Sequence, residues 1–192
     1  MPLEFTNTEI TITVVIVCLV LAIVYGVFLK RRKNRTEAYR NRFGTEYDRA
    51  VLEHGSPQKA EAKLASRETR VDALKIRDLG ANERDRFVAE WHTVQSRFVD
   101  HPRAAVTEAD DLINALLEAR GYPAASFDQR AADVSVNYPR VMENYRLSHG
   151  IAVRTGPSEA TTEELRTAMI QYRVIFDDLL QDKGSVGTRA AA

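Results

Sequence analysis

The stretch from Ile10 to Arg35, ITITVVIVCLVLAIVYGVFLKRRKNR, decides how the rest of the chain is organised. Its first twenty residues, 10–29, carry no charged side chain. Twenty helical residues at a rise of ~1.5 Å each span ~30 Å, the thickness of the hydrocarbon layer of a bilayer. The core helix of a soluble protein is the alternative, but such helices rarely continue this far without a charge. We therefore predict a transmembrane helix at 10–29, preceded by a short tail at 1–9.

The flanking charges distinguish a retained anchor from a cleaved signal peptide. A signal peptide has basic residues before its apolar run and a small-residue cleavage site after it. Here Glu4 and Glu9 precede the run, and a basic cluster follows it, consisting of Lys30, Arg31, Arg32, Lys33 and Arg35. The segment is therefore predicted to be a retained, single-pass anchor.

The same cluster predicts the orientation of the anchor. Because Lys and Arg are retained on the cytoplasmic side of a membrane, we expect the N-terminus outside and residues 30–192 in the cytoplasm, on the inner (plasma) membrane. The cluster is also expected to contact anionic lipid headgroups, at ~1 kcal/mol per basic residue. A simple stop-transfer signal accounts for it equally well. If the C-terminal part lay outside instead, its partners would be components of the cell envelope.

Composition excludes several classes of protein. The chain has 192 residues with 27 Lys and Arg against 27 Asp and Glu, and the part after residue 35 carries 22 basic and 25 acidic side chains. This slight acidic excess argues against a nucleic-acid-binding protein. A single cysteine, Cys18, excludes a disulfide framework and a Cys-rich zinc module.

The remainder of the chain shows helical periodicity and no convincing strand pattern, so we predict an all-α protein. After the anchor we expect a basic juxtamembrane region and charged helical stalk at 30–79. A four-to-five-helix domain is expected at 80–182 and a disordered tail at 183–192. The domain is expected to bury the periodic apolar residues Phe87, Trp91, Val94, Phe98, Leu112, Ile113, Leu116, Tyr145, Tyr172 and Phe176.

In the stalk, Asn34-x-x-Glu37 resembles a capping box that starts a new helix below the membrane. One face of that helix would carry Tyr39, Phe43, Tyr47 and Val51. Ser56-Pro57 is a typical helix start, and the next helix has a thin, alanine-rich apolar stripe among many charges. It is either a solvated helix or a coiled-coil arm that sets the register of a partner helix.

In the domain, local signals predict where helices begin and end. Ser126-x-x-Gln129 and Thr161-x-x-Glu164 are capping boxes, and Gly80-x-x-Glu83 is a weaker start. Gly121 stands where a left-handed residue commonly ends a helix.

Two sets of short stretches carry a resemblance to a known group of proteins. The first is Phe43–Arg49 (FGTEYDR), and the second comprises Arg120–Pro123, Phe127–Val136, Tyr138-Pro139 and Tyr145-Arg146. Together they resemble an uncharacterised family of small bacterial proteins, often actinobacterial, that are single-span membrane or secreted helical proteins. The resemblance implies a bacterial, membrane-associated helical protein, and it implies no catalytic residue.

Motifs for known chemistries are missing from the sequence. None of the four histidines follows a Glu by three positions, as the metal-binding helices of bundles require, and there is no Cys-x-x-Cys or His-Glu-x-x-His motif. Gly-x-Ser-x-Gly and phosphate-binding glycine loops are also absent. We therefore predict neither a metal site nor a cofactor, and we do not expect an enzyme.

One group of residues is a candidate ligand site. Arg130, Asp133, Tyr138 and Arg140 cluster in sequence where two short helices meet. Arg130, Tyr138 and Arg140 would bind an anionic group at the helix start that Pro139 begins. Alternatively, the four residues only cap and brace a sharp helix–helix corner, with Arg130 paired to Asp133 one turn away.

These observations lead to two hypotheses of different classes. The first is a membrane-tethered cytoplasmic interaction or scaffold module that binds a protein partner or associates with itself. The alternative is a sensor or enzyme for a small anionic ligand that uses the Arg130–Arg140 corner.

Overall fold

The computed structural model describes residues 7–154 and 159–181, and the predicted tail at 183–192 lies outside the described residues. The described part is all-helical, as predicted, and contains no strand. Its helices are α1 (Asn7–Phe43), α2 (Thr45–His54), α3 (Pro57–Asp72), α4 (Ala81–Arg97), α5 (Pro102–Ala119), α6 (Phe127–Asn137), α7 (Met142–Ala152) and α8 (Thr162–Leu180). A short 3-10 turn, Pro139–Val141, precedes α7.

The first helix is longer than the sequence predicted. It continues without interruption from Asn7 through Asn34 to Phe43, so Asn34 and Glu37 do not start a new helix, and the juxtamembrane segment is a continuation of the apolar helix. The break comes instead at Gly44, whose φ of 54° lies in the left-handed region that glycine adopts without steric cost. Tyr39 and Phe43 therefore lie on α1, whereas Tyr47 and Val51 lie on α2.

The chain divides into two compact units, residues 1–41 and residues 42–192. The helices predicted to form a charged stalk, α2 and α3, belong to the second unit, so the domain begins about forty residues earlier than the predicted boundary at residue 80. The thin apolar stripe of α3 is buried, since Ala60, Leu64 and Val71 are at most 3% exposed. Helix α3 packs against α2 and α6, which covers the seam that a coiled-coil arm would have exposed.

The main apolar core of the second unit lies among α4, α5, α7 and α8, with α6 against one side. Trp91 stacks on Phe176 with the ring centroids 4.8 Å apart, and both rings are 1% exposed. The predicted core residues are buried, apart from Phe98, which is half-buried. Helix periodicity therefore predicted the inward faces of α4, α5 and α8 well.

Side-chain caps begin several helices where the sequence predicted them. The Thr161 hydroxyl accepts a hydrogen bond from the Glu164 amide at 3.3 Å, and the Glu164 carboxylate accepts one from the Thr161 amide at 2.8 Å. Ser56 and Ser126 also cap their helices. At the start of α4, the Glu83 carboxylate accepts a hydrogen bond from the Gly80 amide at 2.9 Å.

The capping carboxylates predict how the stability of the fold depends on pH. A hydrogen bond from Arg77 and one from the Gly80 amide lower the pKa of Glu83 to about 2, and the amide of Thr161 and the side chain of Arg154 do the same for Glu164. Because both pKa values are lower in the folded state, the stabilisation is complete above the unfolded pKa of ~4.3 and is lost as the pH falls toward 2. We expect E83Q and E164Q to be less stable at pH 7 and to lose less stability between pH 5 and pH 2.

The measurement is thermal unfolding of the full chain in an uncharged detergent at a series of pH values. Glu90, exposed in the middle of α4, supplies the control E90Q, which should keep the acid limb of the wild-type profile. An unchanged acid limb in E83Q and E164Q would show that the two caps do not contribute to acid unfolding. Asp111 and Asp133 act in the opposite direction, because burial raises the pKa of each and their protonation favours the fold.

Candidate functional site

The apolar part of α1 exposes its side chains on every face. From Ile12 to Leu29 the large apolar side chains are 44–63% exposed, and consecutive residues share this exposure. A water-soluble helix would bury one apolar face and present polar residues on the other. The helix is long and apolar enough to span a membrane, and the apolar window of α1 has no buried residue. Lipid is the solvent that suits such a surface.

The predicted lipid-contact residues Lys30, Arg31, Arg32, Lys33 and Arg35 lie on the same continuous helix and are exposed. At a rise of ~1.5 Å per residue they occupy about 8 Å of helix immediately after the apolar run. That length is close to the Debye length at physiological salt, ~8 Å, so all five lie within range of a charged membrane surface. The helical geometry is therefore compatible with headgroup contact.

The second unit carries an apolar surface around α7. A cleft of about 560 Å³ between α7 and α8 is lined by Leu147, Gly150, Ile151 and Thr167, among others. A second cleft of about 340 Å³ lies between α2 and α7 and includes Leu52. Leu147 is 50% exposed and Leu52 is 85% exposed. Charged side chains also line the two clefts, namely Arg154, Glu163 and Glu164 in the first, Glu46, Asp48, Arg49 and Glu143 in the second, and Arg146 in both. We refer to Leu52, Leu147, Gly150, Ile151 and Thr167 as the apolar face.

A buried ion pair lies between the two clefts of the apolar face. The Arg146 guanidinium donates two hydrogen bonds to the Glu46 carboxylate, at 3.1 and 3.0 Å, and Arg146 lines both clefts. The Glu46 side chain is 4% exposed and that of Arg146 is 15% exposed. Two-point pairing fixes the orientation of both groups, so it holds α2 and α7 in a defined position beneath the apolar face.

A second buried polar group ties α5 to α7 and α8. The Asp110 carboxylate accepts a hydrogen bond from the Tyr172 hydroxyl at 2.6 Å and lies 3.1 Å from Nδ1 of His149. Asn114 donates to Asp110 at 3.4 Å and accepts from the Tyr145 hydroxyl at 3.2 Å. Burial, followed by the charge of Asp110, raises the pKa of Tyr145 to about 12 and raises that of Tyr172 further. Both tyrosines therefore remain protonated donors.

The Asp110–His149 pair resembles the orienting half of a hydrolytic triad, in which a buried carboxylate fixes a histidine. His149 is also stacked on Phe127, with the ring centroids 3.6 Å apart and the rings nearly parallel. A catalytic role would also need a nucleophile and a substrate cavity beside the imidazole. The two clefts of the apolar face are lined by other residues, and we interpret the pair as a structural clamp.

The predicted ligand corner is not assembled into one site. Arg130 donates to the Ala125 carbonyl at 3.1 Å and lies 3.9 Å from Glu118, whereas Asp133 pairs with Arg70 of α3. Tyr138 is buried, and Arg140 is exposed. The predicted pairing of Arg130 with Asp133 is replaced by these partners because α3 packs against α6. Pro139 begins a three-residue 3-10 turn that leads directly into α7 at Met142.

Within the described residues, no group of three or more His, Cys, Asp or Glu side chains is arranged to hold a metal ion. Comparisons of the chain with protein families, with curated proteins and with solved structures found no match. The functional conclusion therefore depends on the geometry of the chain itself.

Proposed function

We propose that this chain is a single-pass membrane protein whose helical body acts as an interaction module on the cytoplasmic side of a bacterial plasma membrane. The observation that carries the proposal is that apolar side chains are exposed on every face of α1 from Ile12 to Leu29. A membrane anchor accounts for that exposure, whereas a helix of a soluble body does not.

The charges that follow the apolar run support the proposed orientation. Five basic residues follow the run, and the nine residues before it carry two acidic and no basic side chains. Basic residues close to a membrane-spanning helix are retained in the cytoplasm. The resemblance of residues 43–49 and 120–146 to a bacterial family favours a bacterial plasma membrane as the location.

The apolar face supports an interaction role for the body. Monomeric proteins scatter single apolar residues over their surface, whereas adjoining apolar clefts are typical of binding surfaces. Anchoring on a membrane raises the effective concentration of neighbouring molecules, so even a weak contact through this face becomes useful. The occupant is either a protein partner or a second copy of the chain.

The first arm of the test is topology in intact cells. Cys18 is replaced by serine and a single cysteine is placed at Glu90, which is exposed on α4. We expect a membrane-impermeant maleimide to label this position only after the cells are opened. In a second variant, whose single cysteine replaces Pro2, we expect labelling in intact cells. Labelling of position 90 from outside would contradict the proposed orientation.

The second arm examines the apolar face with a photo-crosslinking residue at Leu147. Val99, which is 83% exposed near the end of α4 and outside the apolar face, supplies the matched control position. We expect a crosslinked product of defined mass from position 147 and none from position 99, and we expect L52D to abolish it. Equal products from both positions, or none from position 147, would contradict the interaction role of this face.

A further inference from the structure

A third cleft in the body gathers basic side chains at the start of a helix. It measures about 270 Å³ and lies between α3 and the N-terminus of α6. Helix α3 contributes Lys63, Ser66, Arg67 and Arg70, and the α6 side contributes Ser126, Asp128, Gln129 and Ala132. Three cations and two hydroxyl groups therefore line a cavity whose only acidic lining residue is Asp128.

Arg67 is the unusual member of this group. Arg67 is only 9% exposed, and its buried Nε has no hydrogen-bond partner among the residues that the structure describes. Burial lowers the pKa of Arg67, although the charges of Glu46 and Glu53 oppose that shift. A buried N–H group of a cation without a hydrogen-bond partner is energetically costly, and native proteins normally pair such groups. The position of Arg67 therefore favours the binding of an anion in the cleft.

The neighbouring cations differ in how far they are already neutralised. Arg70 is paired with the buried Asp133 carboxylate, which also accepts hydrogen bonds from Gln129 at 3.2 and 3.3 Å. Lys63 is exposed and, within the described residues, has no hydrogen bond or ion pair of its own. Arg67 is attracted by the charges of Glu46, Glu53 and Asp133 but, like Lys63 one turn earlier on α3, has no direct ion pair within the described residues, so these two cations are available to contact a ligand.

On the opposite side of the cleft, the N-terminus of α6 provides groups that favour an anion. It is eleven residues long, and Ser126 caps it by accepting a hydrogen bond from the Gln129 amide at 3.5 Å. The first amide groups of a helix have no partners within the helix, and the helix dipole favours an anion at this end. Phosphate groups are often bound at such sites. The hydroxyl groups of Ser66 and Ser126 can donate further hydrogen bonds.

We propose that this cleft binds the phosphate group of a small phosphate ester, with Arg67 and Lys63 as the cationic contacts. The volume lies just below the ~300–1,000 Å³ of sites for drug-sized ligands, which suits a small ester. Asp128, an exposed lining residue, repels a second anionic group and accepts a hydrogen bond from a hydroxyl of the ester. The phosphate comes either from a soluble metabolite or from a lipid headgroup, and the two sources share this chemistry.

The test uses the full chain in an uncharged detergent and follows thermal unfolding by the fluorescence of Trp91, the single tryptophan. Inorganic phosphate and glycerol 3-phosphate are added, and chloride at equal ionic strength is the reference. We expect a rise in melting temperature of about 4 °C at ten times the dissociation constant. In a parallel arm, phosphatidic acid at a few per cent of the detergent replaces the soluble phosphates.

Variants show whether the effect belongs to this cleft. We expect R67M to weaken phosphate binding at least tenfold and K63M to weaken it severalfold. The matched control is K59M, which removes an exposed lysine one turn earlier on α3 and outside the cleft, and it should bind like the wild type. Should R67M fail to fold, the comparison of K63M with K59M decides the question.

The two arms separate the sources of the phosphate. Stabilisation by the soluble phosphates that K63M weakens identifies a soluble ester, and stabilisation by phosphatidic acid alone that K63M weakens identifies a lipid headgroup. Stabilisation that is equal in K63M and K59M would place the anion elsewhere, for instance at the basic cluster on α1, and would overturn the proposal. The absence of any stabilisation over chloride in both arms would overturn it as well.

Discussion

We expect G121A to destabilise the body by at least about 3 kcal/mol. Gly121 follows α5 with a φ of 97°, a conformation that costs an L-residue ~1–2 kcal/mol. An added Cβ would also lie well inside van der Waals contact of the Lys75 carbonyl oxygen and 3.1 Å from the carbonyl carbon. Because both of these atoms belong to the backbone, the clash cannot be relieved by rotating a side chain.

The loop around Gly121 has little room to move. The Arg120 carbonyl accepts a hydrogen bond from the Arg77 amide at 2.9 Å, which joins the two loops directly. Arg120 is buried and donates to the Leu179 carbonyl, and the buried Tyr122 hydroxyl accepts from Asn137 at 2.8 Å. Moving the loop by the distance that a Cβ needs would disturb these contacts together.

Gly55 supplies a matched control. It ends α2 with a φ of 74°, but an added Cβ there would have no atom within 4 Å. We therefore expect G55A to cost only about 1 kcal/mol, the price of the backbone conformation alone. The measurement is guanidinium unfolding of the full chain in an uncharged detergent, followed by Trp91 fluorescence. Equal losses in G121A and G55A would show that the loops at 75 and 121 do not pack as described.

Asparagine separates the two contributions at these positions. Asn tolerates the left-handed conformation better than Ala but still carries a Cβ. G55N should thus be nearly neutral, whereas G121N should remain strongly destabilised by the clash with Lys75. If G121A is too unstable to purify, the same comparison can be made from the yields of folded G121N and G55N.

Sequence reasoning succeeded where the determining forces are local. The capping box of Thr161 and Glu164 lies within four residues, and the left-handed Gly121 is set by its own missing side chain. The apolar length of α1 is likewise a property of one contiguous segment. Such features depend on few neighbours, so the pattern alone predicts them.

Contacts between distant residues were beyond the same reasoning. Glu46 and Arg146 are one hundred positions apart, and nothing in either local pattern indicates that they form a buried pair. The burial of α3 was not predicted for a related reason. Its apolar stripe of Ala60, Leu64 and Val71 is narrow, and the pattern does not indicate which helix covers it. Asp133 was assigned to the ligand corner because its partner Arg70 lies sixty-three residues earlier.

The candidate sites show the same difference between local features and contacts of distant residues. The long apolar helix and the exposed basic cluster that follows it could be predicted from residues 10–35, because a continuous helix needs no tertiary partner to define its exposed surface. The apolar face joins Leu52 of α2 to Leu147 of α7, and the cleft that we propose for phosphate joins Arg67 of α3 to Ser126. Each of these surfaces exists only after helices far apart in sequence have come together.

We expect D110A to cost about 4 kcal/mol of unfolding free energy, the second large effect. Hydrogen bonds to a charged group contribute ~1.5–3 kcal/mol, and each buried polar group left without a partner costs ~1–3 kcal/mol. Removing the carboxylate takes the acceptor from the Tyr172 hydroxyl and from Asn114, and it leaves His149 without its Nδ1 partner. Asp110 itself is only 8% exposed, so water cannot replace it easily.

The neighbouring Asp111 is the matched control. It follows Asp110 on α5 but is largely exposed, and partial desolvation together with the charges of Asp110 and Glu108 raises its pKa. Removing that charge relieves repulsion, so D111A should change stability by no more than about 0.5 kcal/mol, in the stabilising direction. Guanidinium unfolding of both variants followed by Trp91 fluorescence gives the comparison.

A double-mutant cycle tests whether Asp110 acts through Tyr172. In Y172F the carboxylate keeps His149 and Asn114 but loses its shortest hydrogen bond, and we expect a loss of about 2 kcal/mol. If the two residues interact directly, the loss in the double variant D110A/Y172F will be smaller than the sum of the single losses by at least about 1 kcal/mol. Strict additivity would mean that the short hydrogen bond contributes nothing of its own. The clamp between α5 and α8 would then depend on apolar packing, with Asp110 merely tolerated inside it.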